Sequence, residues 1–104
     1  MNDSSVPTVT LDAVPEALPA ELVVLDVRED HEWAAGHIDG AVHIPLGQLA
    51  DRKGELDTET QTVVVCHLGG RSARATAYLV HNTFNAVNLD GGMEAWEAAG
   101  RPMV

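Results

Sequence analysis

The sequence predicts an α/β domain in which helices cover both faces of a mostly parallel sheet. Two short apolar runs, residues 22–27 and 63–66, lack the alternation of half-exposed strands and are typical of strands buried on both faces. Residues 72–81 follow the second run with helical spacing and contain no Gly or Pro. Strands that alternate with helices indicate parallel pairing. With 104 residues the chain is expected to be one domain, residues 1–104, whose first six residues are a frayed terminus.

Turn-forming residues set the expected bounds of the other elements. Pro45 ends a short strand, and Gly36 and Gly100 end helices. Asn82 is the expected left-handed residue after the long helix, because no glycine follows it there. Strands are also expected at residues 8–11, 41–44 and 86–89, and helices at 14–18, 29–35, 46–49 and 93–99, with a mainly polar loop at 51–60 and Met93, Trp96 and Ala99 facing the core.

Charge and composition exclude several classes of partner. The formal net charge is −10, from six basic and sixteen acidic residues, which argues against nucleic acid and anionic membrane surfaces. No apolar run approaches the length of a membrane span, and the first residues lack the pattern of a signal peptide. A single cysteine cannot form an internal disulfide, so a cytoplasmic location is expected. A monomer is the default expectation.

The stretch 63–72 is the best candidate for a functional site. Cys66 ends an apolar strand, Gly69 and Gly70 force a turn, and a helix begins directly afterwards. Unpaired amides and the dipole at a helix N-terminus favour an anion, and the same field lowers the pKa of a nearby thiol from about 8.5. Arg71 adds a planar fork of donors for an oxyanion. The pattern therefore predicts a thiolate nucleophile in an anion-binding loop.

Each of these residues also has an ordinary structural explanation. A lone cysteine after three valines is often a small buried side chain, and a glycine pair can belong to any turn. A cation at a helix N-terminus opposes the dipole, however, which favours a ligand-binding role for Arg71. Cysteine, glycines and arginine within six residues favour the functional explanation.

Other groups carry weaker predictions. The five histidines show no metal-ligand spacing with Cys66, so no metal is expected. Only His67 is placed to touch a substrate, and whether it takes part in catalysis is left open. The residues expected to serve the structure alone are His37, His43, Trp33, Trp96, Gly91 and Gly92. The glycine pair is included because it is not followed by the Lys-Ser/Thr of a phosphate-binding loop.

Several motifs in order resemble the single-domain rhodanese family. They are Leu-Asp-Val-Arg-Glu at 25–29, Glu-Trp at 32–33, Gly-His-Ile-Asp-Gly-Ala-Val-His-Ile-Pro-Leu at 36–46, Cys-His-Leu-Gly-Gly-Arg-Ser at 66–72 and Leu-Asp-Gly-Gly-Met-Glu-Ala-Trp at 89–96. Each motif alone is weakly specific, but their order and spacing across residues 11–102 are strongly specific. The resemblance implies a rhodanese-like three-layer fold with a five-stranded, mostly parallel sheet.

The resemblance also implies a sulfurtransferase that works through a persulfide. Cys66 would take a sulfane sulfur from a donor such as thiosulfate and pass it to a thiophilic acceptor, cyanide or a thiol. Arg71 would hold the donor's oxyanion, and Asp26 and Arg28 would support the loop through hydrogen bonds and an ion pair. No metal or organic cofactor is implied. The substrate-binding loop would comprise His67, Leu68, Gly69, Gly70, Arg71 and Ser72.

Loop length separates the two chemistries of this family. Six residues from Cys66 to Arg71 resemble the sulfur-transferring branch, whereas the phosphatase branch has one more. Two departures are visible: residues 82–83 lack the family's glycine, and His67 and Leu68 replace a strongly cationic pair. The second leaves room for a protein or low-molecular-weight persulfide donor. The alternatives are a sulfur-relay or redox partner protein and a non-catalytic rhodanese-like binding module.

Overall fold

A computed structural model describes residues 6–104, so most of the predicted frayed terminus lies outside the described residues. In these residues, five strands form one sheet in the order β1-β5-β4-β2-β3, and every neighbouring pair is parallel. The predicted α/β architecture is confirmed, with a sheet that is parallel throughout. The strands are β1 (Thr8–Val9), β2 (Leu22–Asp26), β3 (Val42–His43), β4 (Gln61–Val65) and β5 (Ala86–Leu89).

Within the described part of the chain, four α-helices cover the sheet. They are α1 (Asp30–Ala34), α2 (Leu49–Arg52), α3 (Gly70–His81) and α4 (Gly92–Ala98). Short 3-10 helices occupy Leu11–Ala13, Leu46–Gln48 and Lys53–Glu55, so helical structure fills the first half of the expected polar loop. Within residues 6–104, no helix has the length and apolar character needed to cross a membrane.

Alternate side chains of the central strands enter two separate cores, which makes the fold three-layered. Leu25 and Val64 pack with Leu79 of α3 on one face of the sheet. Val24 and Val63 pack on the other face, together with Met93 and Trp96 of α4. Asp26 is paired with Val65 in the sheet register, so β2 and β4 end side by side at the carboxyl edge. This edge is where ligands bind in open parallel sheets.

The predicted helix at residues 14–18 is wrong. The helical turn lies earlier, at Leu11–Ala13, and Val14 is extended, with φ −112° and ψ 120°. Pro15 explains the difference, because a proline disfavours the helical conformation of the residue before it. The proline therefore follows the end of this turn and does not begin a helix.

The end of α3 also differs from expectation. Asn82 is not left-handed, since its φ is −97°, and Thr83 takes that conformation with a φ of 69°. The amide of Thr83 donates to the carbonyl of Val80 at 3.0 Å, and the amide of Phe84 donates to that of Leu79 at 2.9 Å. This pair of bonds is a Schellman ending centred one residue later than predicted. In α4, Met93 and Trp96 are fully buried as expected, but Ala99 lies after the helix and is exposed.

Candidate active site

Cys66 lies directly after β4, at the carboxyl edge of the sheet, and its loop leads into α3. The residue is 1% exposed. Its Sγ accepts a hydrogen bond from the amide of Gly69 at 3.1 Å and another from the hydroxyl of Ser72 at 3.3 Å. The buried strand, the turn and the helix thus bring the sulfur to the N-terminus of α3, as the sequence predicts.

These hydrogen bonds decide the ionisation of the thiol. Burial by itself raises the pKa of Cys66. The Ser72 hydroxyl and the backbone amides of Ser72, Gly69 and Leu68 act in the opposite direction, and together they hold this pKa below its ordinary value. A lowered pKa increases the fraction of thiolate, which is the nucleophilic form of cysteine.

The N-terminus of α4 fixes the other side of the loop. The amide of Met93 donates to the Cys66 carbonyl at 2.8 Å, and the amide of Glu94 donates to the His67 carbonyl at 3.0 Å. Gly92 has a φ of 53°, and a Cβ there would stand 2.3 Å from the Cys66 carbonyl oxygen. The structural role expected for Gly92 is therefore a close contact with the loop that carries the cysteine.

Arg71 is held by Glu32, which the sequence singles out only as part of the Glu-Trp motif at residues 32–33. The Nη1 and Nη2 atoms of Arg71 donate to the two carboxylate oxygens of Glu32 at 2.7 and 2.9 Å. Arg71 lowers the pKa of Glu32 to about 2, and Glu32 raises the pKa of Arg71 above its usual value. Both side chains are partly exposed, at 32% for Arg71 and 23% for Glu32. Arg71 thus enters the site already oriented by α1.

Asp26 and Arg28 form a buried ion pair beside this loop. Arg28 Nη2 lies 2.8 Å from Asp26 Oδ2, and Arg28 Nη2 also donates to the Gly36 carbonyl at 2.8 Å. Within residues 6–104, the hydrogen bonds of these two side chains lead to each other and to Gly36, with none to residues 66–72. The predicted ion pair is present, and its support of the Cys66 loop stays a prediction.

The histidines near this pair have structural contacts. Trp33 stacks on His37 and on His43, with ring centroids 3.6 and 4.7 Å apart. The Nδ1 of His37 lies 3.0 Å from the Trp33 carbonyl, and the Nε2 of His43 lies 2.8 Å from the Arg28 carbonyl. Both histidines thus make the kind of structural contacts expected of them. Among the described residues, no group of three or more His, Cys, Asp or Glu side chains is placed to hold a metal ion.

A shallow hollow of about 300 Å³ opens above the cysteine. His67 and Leu68 are exposed at its mouth, and Leu68 is 57% exposed. Ser72 lies behind the sulfur and is fully buried. Asn88 of β5 was not anticipated from the sequence: its Nδ2 donates to the Gly69 carbonyl at 3.4 Å. The hollow is lined by Cys66, His67, Leu68, Gly70 and Arg71.

Comparison with known proteins identifies the class. A family model for the rhodanese-like domain matches residues 10–99. The chain therefore belongs to the rhodanese-like family. The thiosulfate sulfurtransferase GlpE of Pseudomonas entomophila is 44% identical over 84 residues, covering 79% of this chain and 77% of that protein.

Solved structures agree with this assignment. A rhodanese-related protein from Thermoplasma volcanium aligns with a TM-score of 0.78 at 34% identity, covering 81% of this chain and 84% of that one. A rhodanese-like domain protein from Staphylococcus aureus aligns with a TM-score of 0.78 at 35% identity, covering 86% of this chain and 90% of that one. The fold and the family predicted from the sequence are both confirmed.

Proposed function

We propose that this protein is a sulfurtransferase in which Cys66 carries the transferred sulfur as a persulfide. The observation that carries the proposal is the environment of the Cys66 Sγ, which accepts hydrogen bonds from Gly69 and Ser72 at the start of α3. Donors that stabilise a thiolate also stabilise a terminal persulfide anion one atom further out. The sulfurtransferase GlpE, at 44% identity, supports this chemistry.

The first half-reaction loads the cysteine. The Cys66 thiolate attacks the sulfane sulfur of thiosulfate, a new S–S bond forms, and the S–S bond of thiosulfate breaks. Sulfite leaves with the electron pair of the broken bond, and Cys66 retains the sulfur as a persulfide anion. Oxyanion binding beside the nucleophile favours this step because negative charge grows on the leaving group.

Arg71 is the residue that would bind this leaving group. Two of its five N–H groups bind Glu32, so the guanidinium is fixed while three donors remain without a partner in the described part of the chain. Arg71 lines the hollow together with Cys66. A guanidinium that is already fixed loses less side-chain entropy when it binds an anion than a mobile guanidinium does.

The second half-reaction returns the enzyme to its starting state. An acceptor such as cyanide attacks the terminal sulfur of the persulfide, and the S–S bond to Cys66 breaks. Thiocyanate leaves, and the electron pair of that bond returns to Cys66 as a thiolate. No redox partner is needed, because sulfur moves between nucleophiles with its oxidation state conserved over the cycle.

The alternatives share the fold but differ in their requirements. A non-catalytic binding module has no use for a thiol with a lowered pKa, and a phosphatase would need a longer loop than the six residues from Cys66 to Arg71. A sulfur-relay protein would form the same persulfide and then require a protein acceptor. It would turn over poorly with cyanide.

Intact mass tests the proposal. We expect the wild type to gain one sulfur atom after incubation with thiosulfate and to lose it on addition of cyanide, while Cys66→Ala gains none. An unloaded but alkylatable Cys66 would overturn thiosulfate as the donor. Robust Cys66-dependent hydrolysis of an aryl phosphate would replace the proposal with a phosphatase.

A further inference from the structure

A second cavity lies next to the Cys66 hollow. It is an open groove of about 450 Å³ between α2 and α3, within the size range of small-molecule sites. Arg71 lines both the groove and the hollow, so the two are neighbours at this residue. We call the cavity the side groove; its floor is formed by Leu46, Leu49, Ala50 and Tyr78.

The position of Arg74 gives the side groove its charge. Arg74 and Tyr78 follow Arg71 at the i+3 and i+7 positions of α3, so all three lie along one face of the helix. Arg74 is exposed, and within residues 6–104 its side chain forms no hydrogen bond or ion pair. A substrate whose sulfur sits at Cys66 can thus extend past Arg71 to an available cation.

Arg74 is unusual among the basic residues of this chain. The chain has only six Lys and Arg residues against sixteen Asp and Glu. The other five are engaged: Arg28 with Asp26, Arg52 with Glu55, Arg71 with Glu32, Lys53 with the Ala50 carbonyl and Arg101 with the Leu11 carbonyl. In a protein of net charge −10, an unpaired cation on the wall of an apolar groove is complementary to an anion that also carries apolar atoms.

Thiosulfate, the smallest donor, would leave Arg74 unused. Positions i and i+3 of a helix have Cβ atoms about 5–6 Å apart, so Arg74 follows Arg71 one helical turn along the same face. The oxygens of thiosulfate lie only two bonds from its sulfane sulfur, so an ion held at Cys66 and Arg71 is too short to reach a side chain one helical turn further on. Glu29 also lines the side groove and can accept an amide or ammonium N–H. These contacts fit a molecule with a sulfur at one end, apolar atoms in the middle and a carboxylate several bonds away.

We propose that the side groove binds the body of a low-molecular-weight, peptide-like thiol whose carboxylate lies on Arg74. This assignment rests on the sulfur transfer proposed for Cys66. As a donor, the thiol arrives as a persulfide: the Cys66 thiolate attacks its terminal sulfur, and the thiolate of the carrier leaves with the electron pair. The proton of the donor's terminal S–H stays on the new Cys66 persulfide. When the same thiol is the acceptor, its thiolate attacks the terminal sulfur of the Cys66 persulfide, and Cys66 leaves as the thiolate.

Kinetics with a charge-matched pair of donors test the role of Arg74. The probes are N-acetylcysteine persulfide, generated in situ, and the persulfide of its methyl ester, which lacks the carboxylate. We expect Arg74→Gln to lower the ratio of kcat/KM for the acid to that for the ester by about fivefold, the size of an exposed ion pair. Arg52→Gln, which removes the same charge outside the groove, should keep the wild-type ratio. A ratio unchanged in Arg74→Gln would overturn the proposal.

Binding without transfer separates this proposal from the sulfurtransferase assignment. Backbone NMR of Cys66→Ala, titrated with N-acetylcysteine and with its methyl ester, should show larger shifts at Arg74 and Tyr78 for the acid. Thiosulfate loading of Cys66 without groove binding by either thiol overturns the groove and leaves the proposed function intact. Groove binding by the acid, with no sulfur gained from any donor in the wild type, supports the groove and overturns the proposed function.

Discussion

Arg71 and Glu32 form a two-point ion pair that ties the first turn of α3 to α1, 39 residues away in sequence. The Glu32 Oε1 atom also accepts the amide of Glu29 at 2.9 Å, so the carboxylate is itself fixed by the start of its own helix. The guanidinium beside Cys66 is therefore positioned by a different element from the one that carries it. The pair links the stability of the site to the ionisation of one carboxyl group.

Glu32→Gln should weaken the fold in a pH-dependent manner. Because the folded-state pKa of Glu32 is lowered from 4.5 to about 2, its charge stabilises the native state above the unfolded pKa, and this contribution is lost as pH falls towards 2. At pH 7 we expect a loss on the order of 1 kcal/mol after solvent screening. Urea unfolding of both proteins between pH 7 and pH 2 measures it. A difference that stays constant with pH would contradict the ion pair.

Ser72→Ala should raise the pKa of Cys66. The substitution removes the hydroxyl that donates to Sγ at 3.3 Å, and burial, which raises the pKa, is then less fully offset. The rate of alkylation by iodoacetamide as a function of pH gives the thiol pKa directly. Ser72→Thr keeps a hydroxyl and serves as the control, with thermal unfolding to verify that both variants are folded. An alkylation profile for Ser72→Ala that matches the wild type would exclude this hydrogen bond as a cause.

Gly92→Ala should destabilise the protein by about 3 kcal/mol or more. The new Cβ would stand 2.3 Å from the Cys66 carbonyl oxygen, and the φ of 53° already disfavours a side chain. The contact is with backbone, so it can be relieved only by moving the loop or α4. Gly54→Ala is a matched control, because no atom lies within 4 Å of its added Cβ. Equal unfolding midpoints for the two variants would contradict the close approach of α4.

Arg28→Met should be far more destabilising than Arg52→Met. Arg28 is 5% exposed and Asp26 is fully buried, so removing the cation leaves an unpaired buried carboxylate at a cost of about 3–5 kcal/mol. Arg52 pairs with Glu55 on the surface, where such pairs contribute about 0–1 kcal/mol. Denaturant unfolding of both variants measures the contrast. Similar losses would show that the Asp26–Arg28 pair is solvated in solution.

Local sequence determined what could be predicted. Apolar runs, the glycine pair and helical spacing located β4, the loop and α3 around Cys66, because each depends on neighbouring residues. The partner of Arg71 could not be found in this way, because sixteen acidic residues were candidates. A single sequence does not show which distant residues come into contact. The left-handed residue at the end of α3 is Thr83. Local propensity does not predict it, because a β-branched residue is disfavoured in the left-handed conformation.

The bonds from α4 to the carbonyls of Cys66 and His67 give the site a fixed rear wall. In the sulfur transfer proposed above, the Cys66 side chain would lengthen by one sulfur atom and shorten again in every turnover. With its backbone anchored behind and Ser72 fully buried beneath, that extra length has one direction open to it, outward through the hollow. In the proposed reaction, the site would thus hold the inner sulfur of the persulfide in place and present the outer sulfur, which is transferred, at the surface.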